Sequence, residues 1–205
     1  MQWFSDAPSE IVYDTITKHF GSQKIRILEI GCGEGRDANF LLSEGYDVLA
    51  TDISPTAIAF CQKNNPEKAD CFQVLDCLND NMLETFDFIY AVAVLHMLVL
   101  NEDRHIFFDF IQDHLNDDGI ALVCSMGNGE EEWKTDIAAA FKLFDRKHDA
   151  TGKVVTIAGT SCRVVSFDTL ANEIKASRLV INQKGNTSVL PDFQSMIYVV
   201  VRKQG

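Results

Sequence analysis

The chain has 205 residues, 46% of them hydrophobic and 23% charged, with a formal net charge of −12. That length suits one domain around a packed core, and the composition is ordinary for a globular protein. The acidic balance, with no cluster of Lys and Arg, counts against a nucleic-acid partner, because phosphate backbones repel such a surface.

The opening residues, MQWFSDAPSE, have neither the basic nor the apolar region of a signal peptide. The longest apolar stretch, Ile89–Leu100, is too short to span a bilayer. Cys32, Cys61, Cys71, Cys77, Cys124 and Cys162 include no CxxC pair, and most sit in apolar runs. Buried thiols in a reducing compartment are therefore expected, with no metal site and a cytoplasmic location.

Strand-like and helix-like segments alternate. Ile25–Ile30 is a short β-branched run, and Arg36–Ser43 has helical character. Asp47–Ala50 reads as a second strand. Ser54-Pro55 predicts a helix start, since Ser caps and Pro suits the first helical position, and the helix should run to about Asn64. Cys71–Leu75 is a third strand. Phe86–Val94 is apolar nearly throughout, as in a strand covered on both faces. Asn101 can cap a helix with Phe107, Phe110, Ile111 and Leu115 at helical spacing, which "NDDG" should stop. Ile120–Ser125 is a fifth strand.

Such alternation predicts parallel strands with right-handed crossovers, hence a doubly wound, mostly parallel α/β sheet. The C-terminal part reads as a helix over Phe167–Ser177 and strands over Leu179–Gln183 and Met196–Arg202. Their short link favours an antiparallel return and a seven-stranded total. Residues 127–165 read as an inserted cap, with a helix begun by "GEEEWKTDIAAAFKLF" and a hairpin of "KVVTIA" and "CRVVSF" around Gly159-Thr160.

The chemistry is concentrated in "ILEIGCGEGRDANFLL". A glycine loop between a strand and a helix lets backbone approach a ligand, and the helix N-terminus offers unpaired N–H groups to an anion. The spacing is GxGxG. Arg36 stands where a dinucleotide loop has its third glycine, and it can pair with an anion. Asp52, at the end of the second strand, can accept both hydroxyls of a ribose; the competing reading is a turn carboxylate before Ser54. Asp76, at the end of the third strand, could accept from an adenine amino group, or serve its loop.

"LEIGCGEGRDANFLLSEGYDVLATDISPTAIAFCQK", followed by "VLDCLND", "FDFIYAVAVLHML" and "LNDDGIALV", resembles the class I S-adenosylmethionine-dependent methyltransferases. It is most similar to the small tellurite-resistance-like type with a GCGxGR loop and a D-x-S-P turn. The resemblance covers roughly residues 25–125; Asp117-Asp118-Gly119 replaces the family's Pro-Gly-Gly turn. It implies a Rossmann-like fold, S-adenosylmethionine as cofactor and S-adenosylhomocysteine as product. It also implies that Glu29, Gly31, Cys32 and Gly33 shape the methionine end, with Arg36 on its carboxylate. Asp52 would hold the ribose and Ile53 pack on adenine. Asp76 would take the adenine amino group, beside the Cys77 backbone, and Ala91 and Val92 would border the amine and sulfonium. An N-terminal helical segment, residues 1–22 with Trp3, Phe4 and Tyr13, would cover the cofactor.

His96, just past the fourth strand, is the candidate general base, and His105, His114 and His148 read as surface residues. Trp133, Phe141 and Phe144 could line the substrate side. The expected partner is a small-molecule methyl acceptor, and the expected assembly a monomer or weak homodimer. Two alternatives stand: an NAD(P)-dependent oxidoreductase on a similar sheet, and a non-catalytic S-adenosylmethionine-binding protein.

Overall fold

The computed structural model describes residues 8–138, 143–147, 154–158, 161–188 and 195–205, with backbone alone for 143–147 and 154–158. The chain enters through α1 (Glu10–Phe20) and β1 (Arg26–Ile30), then α2 (Arg36–Ser43) and β2 (Asp47–Asp52). Next come α3 (Pro55–Asn64), a 3₁₀ segment (Pro66–Cys71), β3 (Phe72–Val74) and β4 (Phe86–Val92). A 3₁₀ turn (Leu95–Met97) leads into α4 (Asn101–His114) and β5 (Leu115–Met126). Four short strands follow: β6 (Trp133–Lys134), β7 (Leu143–Lys147), β8 (Val154–Ala158) and β9 (Arg163–Val164). The chain closes with α5 (Phe167–Ala176), β10 (Leu179–Thr187) and β11 (Met196–Lys203).

One seven-stranded sheet runs in the order β10-β11-β5-β4-β1-β2-β3. The β3-β2-β1-β4-β5 block is parallel throughout, while β11 is antiparallel to both neighbours. This is the doubly wound sheet with a reversed end strand that the alternation predicts. Central strands are covered on both faces, so side chains one residue apart enter different cores. Ile27 and Phe88 pack under α1, α2 and α3, whereas Leu28 and Ile89 pack under α4 and α5.

Ser54 caps α3 by accepting from the Ala57 N–H at 3.3 Å, with Pro55 at the first helical position. Several expectations need correction. The fourth strand ends at Val92, because Ala93 turns to φ +61° and starts the 3₁₀ turn. Asn101 begins α4 without capping it; its Oδ1 accepts from Arg163 at 2.6 Å. "NDDG" lies inside β5, as an irregularity in its register with β4. The hairpin partners are also different: β8 pairs with β7, and β9 pairs with β6. That ladder places Trp133 in a strand where a helix was expected. Phe141, His148, Gly159 and Thr160 lie outside the described residues, as does the Phe144 side chain.

The N-terminal segment is helical from Glu10, and Trp3 and Phe4 lie outside the described residues. Tyr13 meets Phe40 of α2 edge-to-face, with ring centroids 5.6 Å apart. His114 is buried rather than exposed, its ring nitrogens 2.8 and 3.1 Å from the carbonyls of Phe110 and Met82. Cys32, Cys61 and Cys124 are buried, and all six cysteines are free thiols. Among the described residues no helix is long and apolar enough to cross a membrane, and no cluster of three metal-ligating side chains occurs.

Candidate functional site at the carboxyl edge of the sheet

In an open α/β sheet the strand order reverses between β1 and β4, and ligands bind beyond the carboxyl ends of the strands at that point. The glycine loop sits there. Gly31, Gly33 and Gly35 have φ of +78°, +55° and +80°, in the left-handed region that β-carbons disfavour. A Cβ on Gly31 would also lie 2.4 Å from Val94 Cγ2, so this glycine lets the loop pass against the end of β4. A Cβ on Gly33 would have nothing within 4 Å, so the loop has open space at this point. Gly31 and Cys32 both donate N–H to the Thr51 carbonyl at 2.8 Å, which ties the loop to β2.

Asp52 strengthens that tie. Its Oδ2 accepts from the Gly33 N–H at 2.8 Å and its Oδ1 from the Ser54 N–H at 2.8 Å. The turn role weighed from the sequence is thus present: the carboxylate organises the turn, and each oxygen retains a lone pair. Ile53 follows with 65% of its surface exposed. Asp76 lies two residues beyond β3 and accepts from the Leu78 N–H and the Asn79 side-chain amide at 3.0 and 2.8 Å. It builds its own turn, with Cys77 beside it. Burial pushes the Cys77 thiol up to about 12, so it is neutral.

Arg36 is held by a group that sequence reasoning missed. Its Nε and Nη2 reach Asp37 at 3.1 and 3.2 Å, and Nη2 donates to Ser9 Oγ at 2.6 Å. Ser9 gives its own N–H and hydroxyl to the same carboxylate, each at 2.7 Å. This anchors the start of α1 against the first turn of α2. A buried Asp at the second position of a helix was the available signal, because a carboxylate is stabilised there.

Beneath the loop, Glu29 is 4% exposed, and its Oε2 has no hydrogen-bond partner. The Tyr90 hydroxyl beside it is also buried without a hydrogen bond of ordinary length, yet close enough to favour the Glu29 carboxylate. Burial, then the negative charge of Asp37, pushes the Glu29 carboxyl well above the usual range. A raised acid contributes stability when protonated and loses it as pH rises from the ordinary carboxylate range, about 4.3, through the raised value. Glu29→Gln should therefore flatten the fall in Tm of the ligand-free protein between mildly acidic and mildly alkaline pH. Equal pH slopes for parent and variant in thermal melts would contradict a buried, proton-binding Glu29.

Cys32 and Cys61 lie together under the same loop. The hydrogen bond between them, then burial, pushes the Cys32 thiol far up, while Cys61 donates to the Gly33 carbonyl at 3.4 Å. Cys32 is therefore a neutral packing group. On the other flank of the site, Ala91 is fully buried and Val92 half-buried at the end of β4. His96 follows in the 3₁₀ turn. Burial, then the charge of Arg104, lowers its imidazole to about 4, and its Nδ1 is buried without a partner. Two cavities among the described residues, under α1 and behind the β2–β3 edge, are lined by residues outside the glycine loop.

A doubly wound sheet with a reversed end strand, a glycine loop after β1 and carboxylates at the end of β2 and beyond β3 makes up a Rossmann-like domain. The chain is similar to the class I S-adenosylmethionine-dependent methyltransferases: the family model described as "Methyltransferase domain" matches residues 28–121, a little under half of the chain. It is 35% identical over 106 residues to hemagglutinin 1 of Eikenella corrodens, covering 49% of this chain and 34% of that protein. It is 31% identical over 103 residues to the probable S-adenosyl-L-methionine-dependent methyltransferase TehB of Haemophilus influenzae, covering 48% of this chain and 35% of that protein. The chain thus spans about a third of the length of these curated relatives. Among solved structures, it superposes on the 1,6-didemethyltoxoflavin-N1-methyltransferase of Burkholderia thailandensis with a TM-score of 0.73 at 16% identity. That match covers 99% of this chain and 81% of the other, which holds 1,6-didemethyltoxoflavin and S-adenosylhomocysteine.

Proposed function

We propose that this domain binds S-adenosylmethionine at the glycine loop and transfers its methyl group to a small-molecule acceptor. The observation that carries this reading is the unpartnered Glu29 oxygen beneath the loop. A buried acceptor without a donor is costly, and the ammonium group of an amino-acid cofactor supplies the missing donor. The open space at Gly33 leaves room for that end of the molecule.

The free lone pairs of Asp52 accept the ribose hydroxyls, and exposed Ile53 gives the adenine an apolar face. Asp76 takes the adenine amino group on the lone pairs its turn leaves, beside the Cys77 backbone. Arg36 presents its remaining Nη1 toward the carboxylate, and Ala91 and Val92 border the reacting end. When bound, the cofactor supplies a methyl group already activated on a sulfonium. The protein's task is then alignment and exclusion of water.

His96 is neutral at pH 7, with a lone pair on one ring nitrogen. A base near 4 takes a proton only from an acidic donor, so this site suits an acceptor that is anionic or readily deprotonated. On the acceptor side, Ser161 Oγ donates to the Met97 carbonyl at 3.0 Å, and Trp133 is half exposed on β6.

Calorimetry with S-adenosylhomocysteine and with NADH tests the cofactor. Binding of the thioether without a response to NADH supports the reading, and the reverse pattern establishes the oxidoreductase alternative. A methyl-transfer screen over thiols, phenols, carboxylates and amines tests the acceptor. Turnover of an acidic acceptor is expected; binding without turnover across the panel would leave a non-catalytic binding protein.

A further inference from the structure

Arg104 is a fully buried charge outside the cofactor site. It stands on the apolar face of α4, in register with Phe107, Phe108 and Ile111. A guanidinium there must be paired, and each of its nitrogens is. Its Nε and Nη2 donate to the two Glu173 oxygens at 2.8 and 2.7 Å. Its Nη1 donates to the Leu95 carbonyl at 2.9 Å and reaches the Leu98 carbonyl at 3.5 Å. Glu173 is shared with Arg163, whose Nη2 lies at 3.2 Å. Arg163 Nη1 in turn donates to the Val99 carbonyl at 3.1 Å and to Asn101 Oδ1 at 2.6 Å.

These bonds converge on one short turn. Including Ser161, side chains from outside it meet the carbonyls of Leu95, Met97, Leu98 and Val99. The turn follows left-handed Ala93 and is short: its own N–H groups reach the Val94 and Leu95 carbonyls, at 2.9 and 3.1 Å, and leave those of Met97, Leu98 and Val99 to side chains. It also carries His96. The donors come from α4 and from the return of the 127–165 segment, and α5 joins them through Glu173.

We propose that Arg104 and Arg163, joined through Glu173, are positioning residues that fix the His96 turn on the acceptor side of the site. The catalytic consequence rests on the methyl-transfer reading, whereas the geometry of the clamp does not. Neither arginine touches the glycine loop, so the clamp acts on acceptor alignment and leaves cofactor affinity unchanged. The charged groups packed about the turn are Arg104 from α4, Glu173 from α5 and Arg163 from β9.

Arg163→Gln and Arg104→Lys test this. Lysine keeps the charge but cannot fork between Glu173 and two carbonyls. The His96 imidazole is followed by NMR across its titration, with His96→Gln identifying the signal, and S-adenosylhomocysteine affinity is measured by calorimetry. Both variants should bind the thioether within about twofold of the parent. His96 should titrate at least about one unit closer to 6.5, because a released turn admits water. Arg163→Lys, which retains a donor for the Val99 carbonyl, should restore part of the shift. If Arg104→Lys does not fold, Arg163→Gln decides, since Arg104 still pairs Glu173 in it. An unmoved His96 titration overturns the clamp, as does thioether affinity lost in step with the shift. A parent that binds no thioether overturns the cofactor reading, while the His96 signal still tests the clamp.

Discussion

Glu173→Ala is expected to destabilise the protein by about 3–5 kcal/mol, because it leaves Arg104 buried without its counter-charge. For a chain of this size that corresponds to a fall in Tm of roughly 6–20 °C. The two arginines that share Glu173 respond differently. Arg163 has 12% of its side chain exposed and can turn its guanidinium toward water, whereas Arg104 has none exposed. Its remaining bonds, to the Leu95 and Leu98 carbonyls, do not neutralise it. The control is a double variant, Arg104→Met with Glu173→Leu. Replacing both partners of a buried pair by apolar groups is often neutral. Here recovery should stop about 1–3 kcal/mol short, since the Leu98 carbonyl loses its donor and the Leu95 carbonyl keeps only the Leu98 N–H. Urea unfolding of the parent and the two variants measures the series. A loss under about 1 kcal/mol for Glu173→Ala would mean that the pair is solvated, as exposed pairs are.

The order of the elements through β5 was readable because each carries its own local signal. The apolar run of β4 has the pattern of a strand covered twice, and Ser54-Pro55 marks the start of α3 through chemistry that acts within four residues. The glycine loop and Asp52 were readable for the same reason: the loop needs left-handed backbone, and the carboxylate stands one strand away. Failures arose where distant chain decides. Arg163 recruits the side chain of Asn101 across the fold, so a residue that looks like a cap is an ion-network partner. Residues 162–164 look like half of a local hairpin, but Trp133-Lys134 pairs with Arg163-Val164 first. His114 has no local sign of burial, because its second carbonyl partner comes from Met82. Arg104 was detectable: a charge on the apolar face of α4 requires a buried partner. Its identity as Glu173 was not, since α5 meets α4 only in the folded protein.

Asp52→Ala is expected to weaken S-adenosylhomocysteine binding at least about tenfold, equivalent to roughly 1.4 kcal/mol. Two losses combine. The carboxylate no longer offers charge-assisted acceptors to the ribose, each worth about 1.5–3 kcal/mol. The Gly33 N–H also loses its tie to the end of β2, so the loop that frames the methionine end is held less firmly. Asn at this position separates the two contributions from simple loss of charge. An amide has one acceptor oxygen, whereas the site presents two N–H donors, from Gly33 and Ser54. One of them would face an NH₂ group, so Asp52→Asn should bind nearly as weakly as Asp52→Ala. An intermediate affinity would indicate that the neutral amide keeps part of the loop tie, so that charge alone does not carry the binding. Parent-like affinity in a folded Asp52→Ala, with an unchanged melting curve, would remove Asp52 from the ribose site. The carboxylate would then be only the organiser of the turn between β2 and α3.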